Sequence, residues 1–203
     1  GNFLEVDLCG KSAGGGDTTP PQISIVSPTN GSWTNAVPHM AAHYQDETAV
    51  DLNSLQILID TADQTSLFTR GPNDATADVP LAQGTHTLAA AIKDTSGNQG
   101  ETSGSFKVDA TPPVIIGTIS PAPNGAGWNK GDVAVSFQCT DAGSGMDQCP
   151  AAQVVATEGA GQKVTGAAND AVGNVAFTTV TVNMDQTAPA LQITSPANGA
   201  MLN

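Results

Sequence analysis

Apolar and polar residues alternate over short runs along most of the chain. Leu55, Ile57 and Ile59 share one face of "SLQILID", Leu88, Ala90 and Ile92 one face of "THTLAAAIKD", and Phe106 and Val108 one face of "SGSFKVD". A period of two marks half-buried β-strands, whose successive side chains point to opposite faces. Together with "QISIVS", "VPHMAAHYQD", "SLFTR" and "ATADVP" these runs predict seven strands in the first half. In the second half Val133, Val135, Phe137 and Cys139 alternate in "DVAVSFQCTD", followed by "AAQVVATE", "QKVTGAAND" and "NVAFTTVTVNMD", a shorter set that lacks one hairpin. Helical periodicity is absent, and no apolar run reaches the roughly 20 residues that cross a bilayer. The expected fold class is all-β, with each half an antiparallel sandwich of two sheets.

The chain repeats itself. "DTTPPQISIVSP", "DATPPVIIGTIS" and "DQTAPALQITSP" open at Asp17, Asp109 and Asp185, 92 and then 76 residues apart. These periods suit whole small domains; solenoid repeats run about 20–50 residues. A second landmark keeps step: "DTSGN" and "DAVGN" place Gly97 and Gly173 each 12 residues before the next opening Asp. The organisation expected is a preceding unit's end with a Gly-rich linker at 1–16, domains at 17–108 and 109–184, and the first strand of a further unit at 185–203.

These motifs, with "LAQGTH" at 81–86, resemble the bacterial immunoglobulin-like repeats of secreted and cell-surface proteins. In the second half "PAPNGAGWN", "CTDAGSGMDQC" and "TEGAGQKVTGAANDAVGN" resemble a cysteine-containing branch of that family. The resemblance implies tandem immunoglobulin-like sandwiches, an extracellular or surface location, and neighbouring units of the same array as partners. It fixes fold better than function, because such sandwiches serve many roles.

Nineteen acidic against six basic residues give a net charge of −13, a field that repels nucleic acid and anionic lipid and favours cations. The resemblance places the start of the first strand and two loops at one end of each sandwich. Asp17, Asp46, Asp51 and Asp94, with Glu47 nearby, then gather in the first domain, and Asp109, Asp141, Asp147 and Asp170 in the second. Converging hard oxygens are what Ca²⁺ takes, six to eight at about 2.4 Å, so Ca²⁺ is the candidate cofactor. Against it stands the capacity of Asp to bond its own backbone in turns.

Cys139 and Cys149 flank a turn-rich loop and read as a disulfide, hence an oxidising compartment; a metal pair, the rival, has no third Cys or His beside it. Cys9 has no internal partner. His39 and His43 share a face but stand about 13 Å apart along a strand, too far to clasp one ion. His86 is expected to hold its turn by a hydrogen bond. Trp33 and Trp128, each after an "NG" turn, either stack on sugars or pack on the sandwich.

No nucleophile elbow, phosphate-cradling loop or close Cys–His pair occurs, so catalysis is not expected. The favoured function is a structural stalk or spacer. The alternatives are a fibre subunit assembled by strand donation through the terminal segments, and an adhesive module for a glycan or partner protein.

Overall fold

The computed structural model describes residues 16–192 and residue 195. "GNFLEVD", Cys9 and the linker, and most of the third strand copy, lie outside the described residues. The chain divides between Thr111 and Pro112 into two compact units. Each is an immunoglobulin-like antiparallel β-sandwich.

The first unit holds β1 (Gln22–Ser27), β2 (Trp33–Thr34), β3 (His39–Gln45), β4 (Val50–Ile59), β5 (Ala62–Asp63), β6 (Thr69–Arg70), β7 (Asp74–Asp78), β8 (Gly84–Asp94) and β9 (Gln99–Val108). One sheet has the order β1-β3-β7-β6 and the other β2-β9-β8-β4-β5. The alternation seen in the sequence is the burial pattern observed: Leu55, Ile57, Ile59, Leu88, Ala90, Ile92, Phe106 and Val108 all enter the core, opposite Met40, Ala42 and Tyr44. Tyr44 is fully buried, and its hydroxyl donates to the carbonyls of Gly71 (2.8 Å) and Asp74 (3.0 Å), so its one polar atom is satisfied.

Two expected strands turn out otherwise. In "SLFTR" only Thr69–Arg70 pairs as a strand, while Thr65–Leu67 forms a 3-10 turn. Asp63 Oδ1 accepts from Thr65 N–H (2.9 Å) and Thr65 Oγ1 (2.6 Å), and this local bonding outcompetes the ladder. In "AAQVVATE" the strand is limited to Gln153–Val155, the residues that find partners on Val133–Val135.

The second unit holds β10 (Val114–Ser120), β11 (Val133–Thr140), β12 (Met146–Gln148), β13 (Gln153–Val155), β14 (Gly159–Asp170) and β15 (Val175–Met184). Its sheets are β10-β11-β13 and β12-β14-β15. The core is small: Val133, Val135, Val164, Val182 and Met184 are buried, with Phe137, Ile119, Val155 and Val180 packed against them. The Cys139–Cys149 disulfide is formed, with the Cα atoms 5.8 Å apart, and ties β11 to the end of β12.

Candidate functional site

The two Asp-x-x-Gly-Asn turns join β8 to β9 and β14 to β15, and they are built alike. Asp94 Oδ1 accepts from the N–H groups of Ser96 (2.8 Å) and Asn98 (2.8 Å), and Oδ2 from Asn98 Nδ2 (2.6 Å). Asp170 repeats this with Val172 (3.0 Å), Asn174 (2.8 Å) and Asn174 Nδ2 (2.6 Å). Gly97 and Gly173 take φ of 95° and 90°, the left-handed region that favours glycine, which explains their place in the motif. Burial would raise the Asp94 pKa. The side chain and backbone of Asn98 and the N–H groups of Ser96 and Gly97 outweigh it and hold the carboxyl below its usual range.

In the first unit the structure brings a carboxylate oxygen each of Asp17, Asp46 and Asp94 within 4.8 Å of one another. Thr48 sits among them: its hydroxyl donates at 2.9 Å to Asp17 Oδ2 and lies 2.6 Å from Asp46 Oδ2, which also accepts Thr48 N–H. Asn98 Nδ2 donates to the Asp17 carbonyl (2.9 Å), fastening the entering chain to the β8–β9 turn. Asp51 is not part of the group; its Oδ1 accepts Asn53 N–H (3.0 Å) in a turn of its own. Glu47 accepts the Thr19 hydroxyl (3.0 Å).

In the second unit, oxygens of Asp141 and Asp170 approach within 4.8 Å. Asp141 Oδ1 also accepts from Gly143 (3.0 Å) and Gly145 (2.8 Å). Asp147 stands exposed on β12. Asp109, buried at the end of β9, accepts Thr111 N–H (3.1 Å).

A feature the sequence reading missed holds the segment leaving each unit. Asp109 N–H donates to Thr34 O (2.8 Å), and Gln83 Oε1 accepts from Ala110 N–H (2.6 Å) and Thr111 Oγ1 (3.3 Å). After β15, Asp185 N–H donates to Asn129 O (2.9 Å), and Glu158 Oε1 accepts from Gln186 N–H (2.6 Å) and Thr187 Oγ1 (2.9 Å). Asp17, Asp109 and Asp185 each accept the N–H of the Thr two residues on. Gln83 and Glu158 directly precede the Gly that opens the longest strand of their unit, a shared position visible in the sequence once the clamp is known.

His39 pairs with Asp78 (2.7 Å) and His43 with Asp74 (2.8 Å) across β3 and β7, at exposed positions. His86 does hold its turn: its ring bonds Asp60 (2.6 Å) and the Ala82 carbonyl (2.9 Å). Trp33 and Trp128 occupy matching places and are 37% and 36% exposed. Lys107 Nζ lies 5.0 Å from the Trp33 ring centroid, a cation–π contact. Trp128 lines an open hollow of about 490 Å³ with Pro121, Asn124, Asn129 and Lys130. The Asn129 Oδ1 is buried without a hydrogen-bond partner among the described residues.

No family model matches the chain, and no curated protein is similar to it. Among solved structures the chain is similar to the fibronectin(III)-like modules of CbhA from Clostridium thermocellum, with 14% identity over 85% of this chain and 100% of that one, TM-score 0.46. It is also similar to a 1.5-MDa bacterial ice-binding adhesin, with 12% identity over 86% of this chain and 68% of that one, TM-score 0.44. A third is a Ca²⁺-stabilised, ice-binding adhesin of an Antarctic bacterium, with 17% identity over 82% and 49%, TM-score 0.39. Identities this low say nothing of ligand or activity.

Proposed function

We propose that the chain is a non-catalytic structural segment of a bacterial extracellular or surface protein, a stalk or spacer of immunoglobulin-like units. The observation that carries this reading is the doubled clamp on the segment leaving each unit. Gln83 and Glu158 make the same pair of bonds to the second and third residues of an Asp-x-Thr sequence. A segment anchored identically at both exits is what an array needs to pass from one unit to the next without a slack linker. The Cys139–Cys149 bond fits an oxidising location, and no helix among the described residues is long and apolar enough to cross a membrane.

The stalk reading expects sedimentation to give a monomer at every concentration and a glycan array to stay blank. Polymers that vanish when residues 188–203 are deleted would establish the strand-donation fibre instead. Retention on glycans, lost in Trp128→Ala, would establish the adhesive module, which the exposed Trp128 beside its hollow favours.

Calcium belongs to the same reading. Asp17, Asp46 and Asp94 hold three negative charges within 4.8 Å, and no basic side chain forms an ion pair with them among the described residues. Each carboxylate offers about four lone-pair sites and spends only some of them on Thr19, Thr48, Ser96 and Asn98. Millimolar Ca²⁺ is expected to raise the melting temperature of the first unit, EDTA to reverse the rise, and Asp46→Asn to abolish it. A titration without heat and a melt indifferent to EDTA would leave these residues as turn formers only.

A further inference from the structure

His86 is bonded at both ring nitrogens, and both partners can only accept. Nδ1 lies 2.6 Å from Asp60 Oδ2 and Nε2 lies 2.9 Å from the Ala82 carbonyl oxygen. A neutral imidazole carries one N–H, so it satisfies one of these acceptors and turns a lone pair on the other; the imidazolium satisfies both. His39 and His43 differ: among the described residues each is bonded through Nδ1 to one Asp, and both rings are open to water.

Asp60, Thr87 and Phe106 fix the surroundings of His86. Asp60 and Thr61 are the two central residues of the β4–β5 hairpin, with φ of 50° and 72°, as a type I′ turn requires. That turn also puts Asp60 Oδ1 2.8 Å from Thr87 N–H, which fixes the carboxylate beside the ring. From β9 the imidazole faces the Phe106 ring, centroids 5.9 Å apart. Lys107 is turned to Trp33. Asp60 is thus the charged group that faces His86, and the His86 side chain is only 12% exposed.

The loop that His86 holds is the one that clamps the leaving chain. Ala82 is next to Gln83, whose side-chain oxygen bonds Ala110 and Thr111, and on the other side Leu81 N–H bonds Ala36 O (2.9 Å). We propose that protonated His86 locks the Ala82–Gln83 loop, and through it the anchoring of Ala110 and Thr111, so that loss of the proton loosens the segment leaving the first unit. The second unit has Gly161 two residues after Gly159, where His86 stands two after Gly84, and so carries an anchor without this switch.

Burial alone would lower the His86 pKa, but the Ala82 and Asp60 bonds and the Asp60 charge raise it above 6.5. Burial would raise the Asp60 pKa, and the bonds from Thr87 and His86 bring it below 3.8. A group with a raised pKa stabilises fully below its unfolded value and loses that contribution as pH climbs through its folded value; a group with a lowered pKa does the reverse on acidification. The lock is therefore complete from about pH 3.8 to 6.5 and opens above that, toward the folded pKa of His86.

The test is a pH titration of the full chain by NMR, following the His86 ring nitrogens together with hydrogen exchange of the Ala110 amide corrected for intrinsic rate. Expected are a His86 midpoint above 6.5 and, across the same range, a fall of roughly tenfold in Ala110 protection, the loss of about one hydrogen bond. In His86→Gln the protection should stay at the high-pH level throughout. In Gln83→Ala the His86 midpoint should remain high while Ala110 no longer responds to pH. A midpoint at or below 6.5, or Ala110 protection that ignores the titration in the unmodified chain, overturns the proposal, and neither readout depends on a variant folding.

Discussion

Replacing Cys139 and Cys149 together with Ser is expected to cost the second unit about 3 kcal/mol, the chain-entropy value for closing a loop this short. For a unit of this size that lowers its melting temperature by roughly 10–25 °C. Burial elsewhere in the unit leaves little margin. Its core cluster is four valines and one methionine with no buried aromatic residue among those described, and small domains are stable by only about 5–15 kcal/mol. The bond also does local work. β12 meets β14 only through Met146↔Asp170 and Gln148↔Asn169, and the disulfide pins the chain just beyond that short pairing back to β11. Within the loop, Asp141 Oδ1 accepts from Gly143 and Gly145, bonds that the double variant keeps. Calorimetry of the double variant should show one transition moved and one in place, because the bond lies wholly within the second unit. Reduction of the unmodified protein should reproduce the shift. A displacement of less than about 3 °C would mean that the hydrogen-bonded loop holds itself.

Strands whose two faces differ were legible in the sequence, because burial imposes a period of two on Leu55, Ile57, Ile59, Leu88, Ala90 and Ile92. What escaped were strands two or three residues long. β2 exists because Trp33 and Thr34 run parallel to Lys107 and Val108, a pairing that no local pattern announces. The acidic site was half legible. Repetition of Asp-x-x-Gly-Asn pointed to Asp94 and Asp170, and the fold resemblance to Asp17 and Asp46. Spacing could not tell that Asp51 turns away to cap its own loop while Thr48 moves in. Gln83, Glu158 and Asp60 went unseen for a shared reason: each acts on a residue some 26 to 29 positions away. Sequence shows which residues are capable of a bond, and only the fold shows which are brought within reach.

Gly100→Ala is expected to destabilise the first unit by about 3 kcal/mol, the upper end of overpacking costs. Gly100 is buried on β9, and a Cβ there would fall on the carbonyl oxygen of Pro21 and within 3.6 Å of the Ile23 side chain. The obstacle is backbone at the start of β1, so no side chain can swing aside. β1 is an edge strand paired only with β3, and yielding therefore means peeling away from Gln45 and Tyr44. Ala176 stands six residues after Asp170, as Gly100 stands six after Asp94, so the second unit already accepts the larger residue at this place. The reverse change, Ala176→Gly, should cost about 1 kcal/mol or less, the ordinary penalty of glycine in a strand. Hydrogen exchange separates the outcomes: accelerated exchange at β1 amides with intact β8 and β9 identifies a displaced edge, whereas uniform acceleration identifies global loss. Displacement would also pull Asp17 from Asn98, so the Gly100→Ala chain should lose any thermal response to Ca²⁺ along with its first strand. A melt and a calcium response both unchanged would show that Pro21 can move without cost.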